Sequence, residues 1–100
     1  MIIYNVTIKI DNGVADEWVK WMKAEHMPEL MSTGLFNDYR LCKLLEQEES
    51  EGVTYTAQYM LDSMDDYNTY IDKHAGKMRE KIFKLFGGKF AAFRTVMEVV

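Results

Sequence analysis

The apolar residues of this chain repeat with two different periods, and the order in which the periods switch leaves few folds open. Ile2, Tyr4, Val6, Ile8 and Ile10 alternate with Ile3, Asn5, Thr7 and Lys9, which marks a strand with one apolar and one mostly polar face. Asp11-Asn12-Gly13 has the composition of a hairpin turn. The period that follows is helical, however, so these residues are read as a strand-to-helix loop. The run from Phe36 to about Gln47 alternates less cleanly and is read as a long second strand. The acidic loop 48–52 turns it into a third, in which Val53, Tyr55, Ala57, Tyr59 and Leu61 alternate with Thr54, Thr56, Gln58 and Met60. Phe90 to Val99 forms a last strand, with Phe93, Met97 and Val99 on one face and Arg94 and Glu98 on the other.

Two helical stretches interrupt the strands. The first runs from Asp16 to Gly34. At about 100° per residue, Val14, Ala15, Trp18, Trp21 and Met22 fall on one face and Lys20 and Lys23 on the other. Glu25 projects near the middle of the apolar face and His26 at its edge. Pro28 complicates this projection, because it has no N–H and its ring clashes with the Ala24 carbonyl. The helix must therefore kink or restart near His26–Met27. A carboxylate and an imidazole beside a freed backbone group make a candidate site; otherwise Glu25 swings out to solvent or a lysine. Asp16 or Asp11 is expected to cap the helix start, and Gly34 suits a left-handed C-terminal cap.

The second helix opens at Ser63, with Asp65 and Asp66 placed well against the helix dipole. Its expected core stripe is Met64, Tyr67, Ile71, Ala75, Met78, Ile82 and Leu85, with His74 at the edge and Gly87-Gly88 ending it. The order βαββαβ predicts an α+β, ferredoxin-like fold for residues 1–100 as a single domain. It is a four-stranded antiparallel sheet with strands one and three central and both helices on one face. The rows beginning at Ile2 and Val53 face the helices, and Asn5, Thr7, Lys9, Thr54, Thr56 and Gln58 face away.

Several function classes are disfavoured. The net charge of −4, with Lys and Arg scattered among acids, argues against a nucleic-acid partner. No segment approaches the ~20 apolar residues of a membrane span, and Met1 to Ile10 is too short and too alternating for a signal peptide. Cys42 is the single cysteine, so no disulfide framework exists and a cytoplasmic setting is expected. His26, His74, Glu25 and Cys42 are the only conceivable metal ligands and share no motif spacing, so neither metal nor cofactor is predicted. Cys42 lies mid-strand, where burial leaves a thiol inert. The candidate catalytic residues are Glu25 and His26, and the candidate ligand-binding residues are Tyr4, Trp18, Met22, Tyr59, Tyr67 and His74. Large aromatics of this kind line pockets for planar ligands, but they equally fill ordinary cores.

The stretches MIIYNVTIKID, DEWVKWMKAEHMPEL, GVTYTAQY and KFAAFRTVMEVV resemble a family of small bacterial proteins known only as a domain of unknown function, over essentially the whole chain. His-x-Pro at the first helix end and Gly34-Leu35-Phe36 are more distantly similar to the dimeric α/β-barrel superfamily, which includes antibiotic-biosynthesis-type and haem-degrading monooxygenases. That resemblance implies a homodimer whose sheets pair face to face, with a cleft between sheet and helices. The haem-degrading members use an Asn on the first strand, a Trp on the third and a His on the second helix. Asn5 and His74 match superficially, but the third strand has tyrosines and no Trp. Three readings stay open: a dimeric module binding a small molecule or partner; a cofactor-free or flavin-assisted enzyme on an aromatic or carbonyl substrate, with His26 as acid/base and Glu25 orienting it; and a structural assembly subunit.

Overall fold

In the computed structural model, which describes residues 1–100, the strands are β1 (Ile2–Ile10), β2 (Asp38–Lys43), β3 (Val53–Leu61) and β4 (Phe90–Glu98). They form one antiparallel sheet in the order β2-β3-β1-β4, with the helices on one face. This is the α+β, ferredoxin-like arrangement expected from the periodicities, with β1 and β3 central. Tyr4 lies opposite Tyr59 on one side and Val96 on the other, so the rows of the central strands coincide. Ile2, Tyr4, Ile8 and Ile10 of β1 and Ala57, Tyr59 and Leu61 of β3 are buried beneath the helices. No helix is long and apolar enough to cross a membrane.

β2 is shorter than the expected run from Phe36 to Gln47. Phe36 is buried outside the strand, 5.5 Å from the Tyr59 ring, so its hydrophobicity serves the core and not the ladder. At the other end the Leu44 N–H still bonds to the Thr54 carbonyl at 2.9 Å, and Glu46 then takes a left-handed conformation that leads the chain away.

Each helix contains a five-residue π turn. Residues 15–31 run as Ala15–Trp21, the π turn Met22–His26, and Met27–Met31. Residues 64–86 run as Met64–Tyr70, the π turn Ile71–Ala75, and Gly76–Phe86. In the first helix the Met27 N–H reaches back five residues to the Met22 carbonyl. Pro28 then sits at the start of the following segment, where no N–H is required of it. The wide turn accommodates the missing Pro28 donor and places one extra residue in the helix. No proline forces the second π turn.

The extra residue resets which side chains face the sheet. Trp18 and Met22 are buried and the inward positions that follow are His26, Met27 and Leu30; the hydrophobic row passes from Met22 to Met27, a step of five where an α-helix steps by three or four. His26 thereby turns inward, and Glu25 is exposed instead of pointing into the apolar face. The second helix shifts likewise, from Tyr70 to Ala75 and Met78. Met64 and Leu85, expected in the stripe, are 45% and 57% exposed, while Tyr70 and Phe86 are buried.

Of the expected caps, Ser63 accepts the Asp66 N–H at 3.2 Å, and Gly34 is left-handed at φ 78°. Neither Asp11 nor Asp16 caps the first helix through its side chain; its N-cap residue is Val14, whose N–H bonds to the Asp11 backbone carbonyl at 3.1 Å. Because Glu25 is outside the core, Glu25→Gln should change unfolding free energy by no more than about 0.5 kcal/mol in urea at pH 7. A larger loss would mean that the π turn does not expel this carboxylate.

Candidate functional site

The helices cover the sheet unevenly. Buried residues line β1 and β3, whereas no residue of β4 is fully buried. Beside β4 the packing leaves a cavity of about 390 Å³ between sheet and helices. Protein interiors hold few voids larger than a water molecule, and ligand pockets begin near 300 Å³. Tyr4, Tyr59, Tyr70, Trp18, Met22 and His26 form its interior. Arg79, Phe83, Ala92 and Arg94 also line it and are exposed, which places the mouth between β4 and the last segment of the second helix.

The interior is aromatic and weakly polar. The Tyr4 ring centroid lies 5.9 Å from that of Tyr59 and 5.5 Å from that of Tyr70. Burial pushes all three phenols above their ordinary pKa, with Arg94 working against the rise at Tyr4, so they remain protonated at neutral pH. His26, the last residue of the π turn, is 5% exposed and stacks on Trp21 at 4.7 Å. Its Nδ1 has no hydrogen-bond partner, and neither has Nε1 of Trp18. Burial lowers the His26 pKa to about 4; Glu29 raises it and Lys81 lowers it, both less strongly. Glu29 is itself ion-paired to Lys81, so no free carboxylate holds a proton on the imidazole.

Of the residues singled out from the sequence, Tyr4, Trp18, Met22, His26 and Tyr59 meet around this cavity. Glu25 lies outside it, in a shallow groove with Trp21, Glu29 and Lys81. Tyr67 packs on Tyr4 at 5.6 Å and His74 stacks on Tyr70 at 6.2 Å, both behind the lining. Tyr70, Arg79 and Arg94 were not foreseen. Tyr70 comes inward only through the π turn Ile71–Ala75, which no residue pattern of the second helix announces; Arg94 shares the inner row of β4 with Phe90 and Ala92. Cys42 is exposed, contrary to the buried position expected of it. No three His, Cys, Asp or Glu side chains converge as a metal site. The haem-type arrangement does not fit either, since His74 is absent from the lining.

A family described as a domain of unknown function, DUF4286, matches residues 1–100. The chain belongs to that family. No curated protein matches it significantly. Among solved structures it is similar to a dimeric ferredoxin-like protein from an uncultured marine organism, with TM-score 0.69 and 18% identity over 100% of this chain and 95% of that one. It is similar to a MhuD variant crystallised with two manganese protoporphyrin IX molecules per active site, with TM-score 0.72 and 15% identity over 100% and 95%. It is also similar to SnoaB, a cofactor-independent oxygenase from Streptomyces nogalater, with TM-score 0.66 and 11% identity over 98% and 92%. Identities this low attest the shared fold.

The lowered His26 pKa makes stability depend on pH. Between pH 6.5 and about 4 the unfolded chain binds a proton that the folded chain refuses, so this contribution to stability is lost as pH falls through that window. The full effect is about 3 kcal/mol, at 1.36 kcal/mol per pKa unit. His26→Phe, which keeps a ring against Trp21, should flatten the difference between urea midpoints at pH 7 and pH 4.5 relative to the wild type. An unchanged difference would place the acid sensitivity elsewhere.

Proposed function

We propose that this protein is a dimeric module that binds a small, largely apolar molecule in the cavity beside β4. The observation that carries this reading is an apolar cavity of about 390 Å³, walled by Tyr4, Trp18, Met22, Tyr59 and Tyr70 and open between β4 and the second helix. A porphyrin complex and a cofactor-independent oxygenase on the same fold support treating this cleft as a ligand site.

The alternative of an enzyme using His26 as acid/base is less well supported. A general acid or base works best with a pKa near the operating pH. His26 is held at about 4 and the phenols above their usual range, so no lining group is poised near neutrality. Glu25, cast as its orienting partner, is outside the cavity. The lone exposed Cys42 suits a reducing cytosol.

The neutral fluorophore N-phenyl-1-naphthylamine should bind saturably with a rise in emission. Ala92→Trp, on the exposed edge strand, should weaken that binding at least about tenfold without lowering the melting temperature. Absence of saturable binding, or binding indifferent to Ala92→Trp, would overturn the cavity reading.

The dimer is proposed to form through the sheet face opposite the helices. Phe93 and Met97 there are 64% and 39% exposed, and they pair with Thr7 and Ile3 of β1. Asn5, on the same face, is 7% exposed with an unpartnered Oδ1. This face is mostly threonine and amide with Ile3, Met60, Phe93 and Met97 among them, and an uncovered sheet face with such apolar residues is a surface that self-association would cover. Sedimentation at micromolar concentration should show a dimer, weakened by Thr56→Asp at the centre of the face, between Thr7 and Cys42. A monomer under those conditions would refute it.

A further inference from the structure

The cavity's charge is one-sided. Its walls are almost wholly apolar, no carboxylate lines it, and its two permanently charged lining residues are Arg79 and Arg94. Arg79 comes from the second helix and Arg94 from the inner row of β4, and both are exposed at the mouth. Neither forms an ion pair. The ion pairs of the molecule are Lys43–Glu49 and Lys81–Glu29, so Glu29, an acid on the first helix close to His26, is already committed. In a chain with net charge −4, acids are plentiful, yet none is set against these two arginines.

We propose that the ligand is an aromatic carboxylate, its rings among Tyr4, Trp18, Tyr59 and Tyr70 and its carboxylate between Arg79 and Arg94. This rests on the cavity being a ligand site. The guanidinium fork matches a carboxylate with two parallel N–H donors, and such charge-assisted bonds are stronger than neutral ones. The absence of any lining acid removes the repulsion that would otherwise exclude an anion. Inside, neutral His26 and the protonated phenols present rings and dipoles with no positive charge to compete for the carboxylate. The ligand's polar end therefore stays at the mouth, where solvent and both arginines meet it.

The test is displacement of N-phenyl-1-naphthylamine by 2-naphthoate and by its uncharged analogue 2-naphthalenemethanol, at low ionic strength and at 0.5 M NaCl. Naphthoate should displace at about tenfold lower concentration or better, with the preference shrinking in salt. In the Arg79→Gln/Arg94→Gln protein the two compounds should become nearly equivalent. The Arg79→Lys/Arg94→Lys protein should keep part of the preference. Equal displacement by both compounds in the wild type, or a preference that survives the double glutamine change, overturns the anion assignment while the cavity reading stands. If neither compound displaces a saturably bound fluorophore, the anion assignment falls while the cavity reading stands; if the fluorophore itself does not bind saturably, both fall together.

Discussion

Pro28 cannot donate to the Ala24 carbonyl, and the wide turn before it decides which side chains of the first helix meet the sheet. An uninterrupted α-helix would send Glu25 inward after Trp18 and Met22. One additional residue in the turn moves Glu25 to the surface and His26 into the interior. The second helix carries its own π turn at the matching place, between Tyr70 and Ala75. The inner surface facing the sheet is therefore set by two local departures from α geometry, which also explain why His26 and Tyr70 share one cavity.

The electrostatics of that cavity follow from burial. Glu29 acts to keep His26 protonated, but Lys81 both neutralises Glu29 and opposes the imidazolium directly. Desolvation is the largest influence on His26, as it is on Tyr4, Tyr59 and Tyr70. The interior is consequently aromatic and uncharged at neutral pH, and charge is confined to the rim at Arg79 and Arg94. The Lys81–Glu29 pair is about a third exposed on each side, so it contributes little to stability; Lys81 offsets part of Glu29's pull on the imidazolium, and desolvation outweighs both.

The sheet was legible in the sequence because period two leaves little freedom: a slip of one residue would put Tyr4 and Tyr59 on the solvent face. The phase of the helices was not legible, since a projection at constant angle cannot register an inserted residue. Pro28 announced a disturbance without giving its form, and a kink and a π turn send Glu25 in different directions. Phe36 misled in another way, because an apolar residue beside a strand can belong to the core without joining the ladder. The cavity itself has no periodic signature. It arises because the helices leave β4 partly uncovered, a matter of how elements sit against one another. Single residues within it, such as Tyr4 and Trp18, could be named from type and period, but not their convergence.

The size of the cavity constrains what occupies it. A dry void costs roughly 24 cal/mol per Å³, so about 390 Å³ left empty would cost roughly 9 kcal/mol. That is comparable to the whole stability of a domain of this length. The exposed mouth removes the difficulty, because solvent can enter past Ala92 and Phe83. Water against Tyr59, Met22 and Trp18 is poorly accommodated, however, since these walls offer few hydrogen bonds in return. Displacing such water with an apolar body recovers the hydrophobic contribution of those walls. On the ligand-binding reading proposed above, the walls that water solvates poorly are the ones that would supply the binding energy for an apolar body.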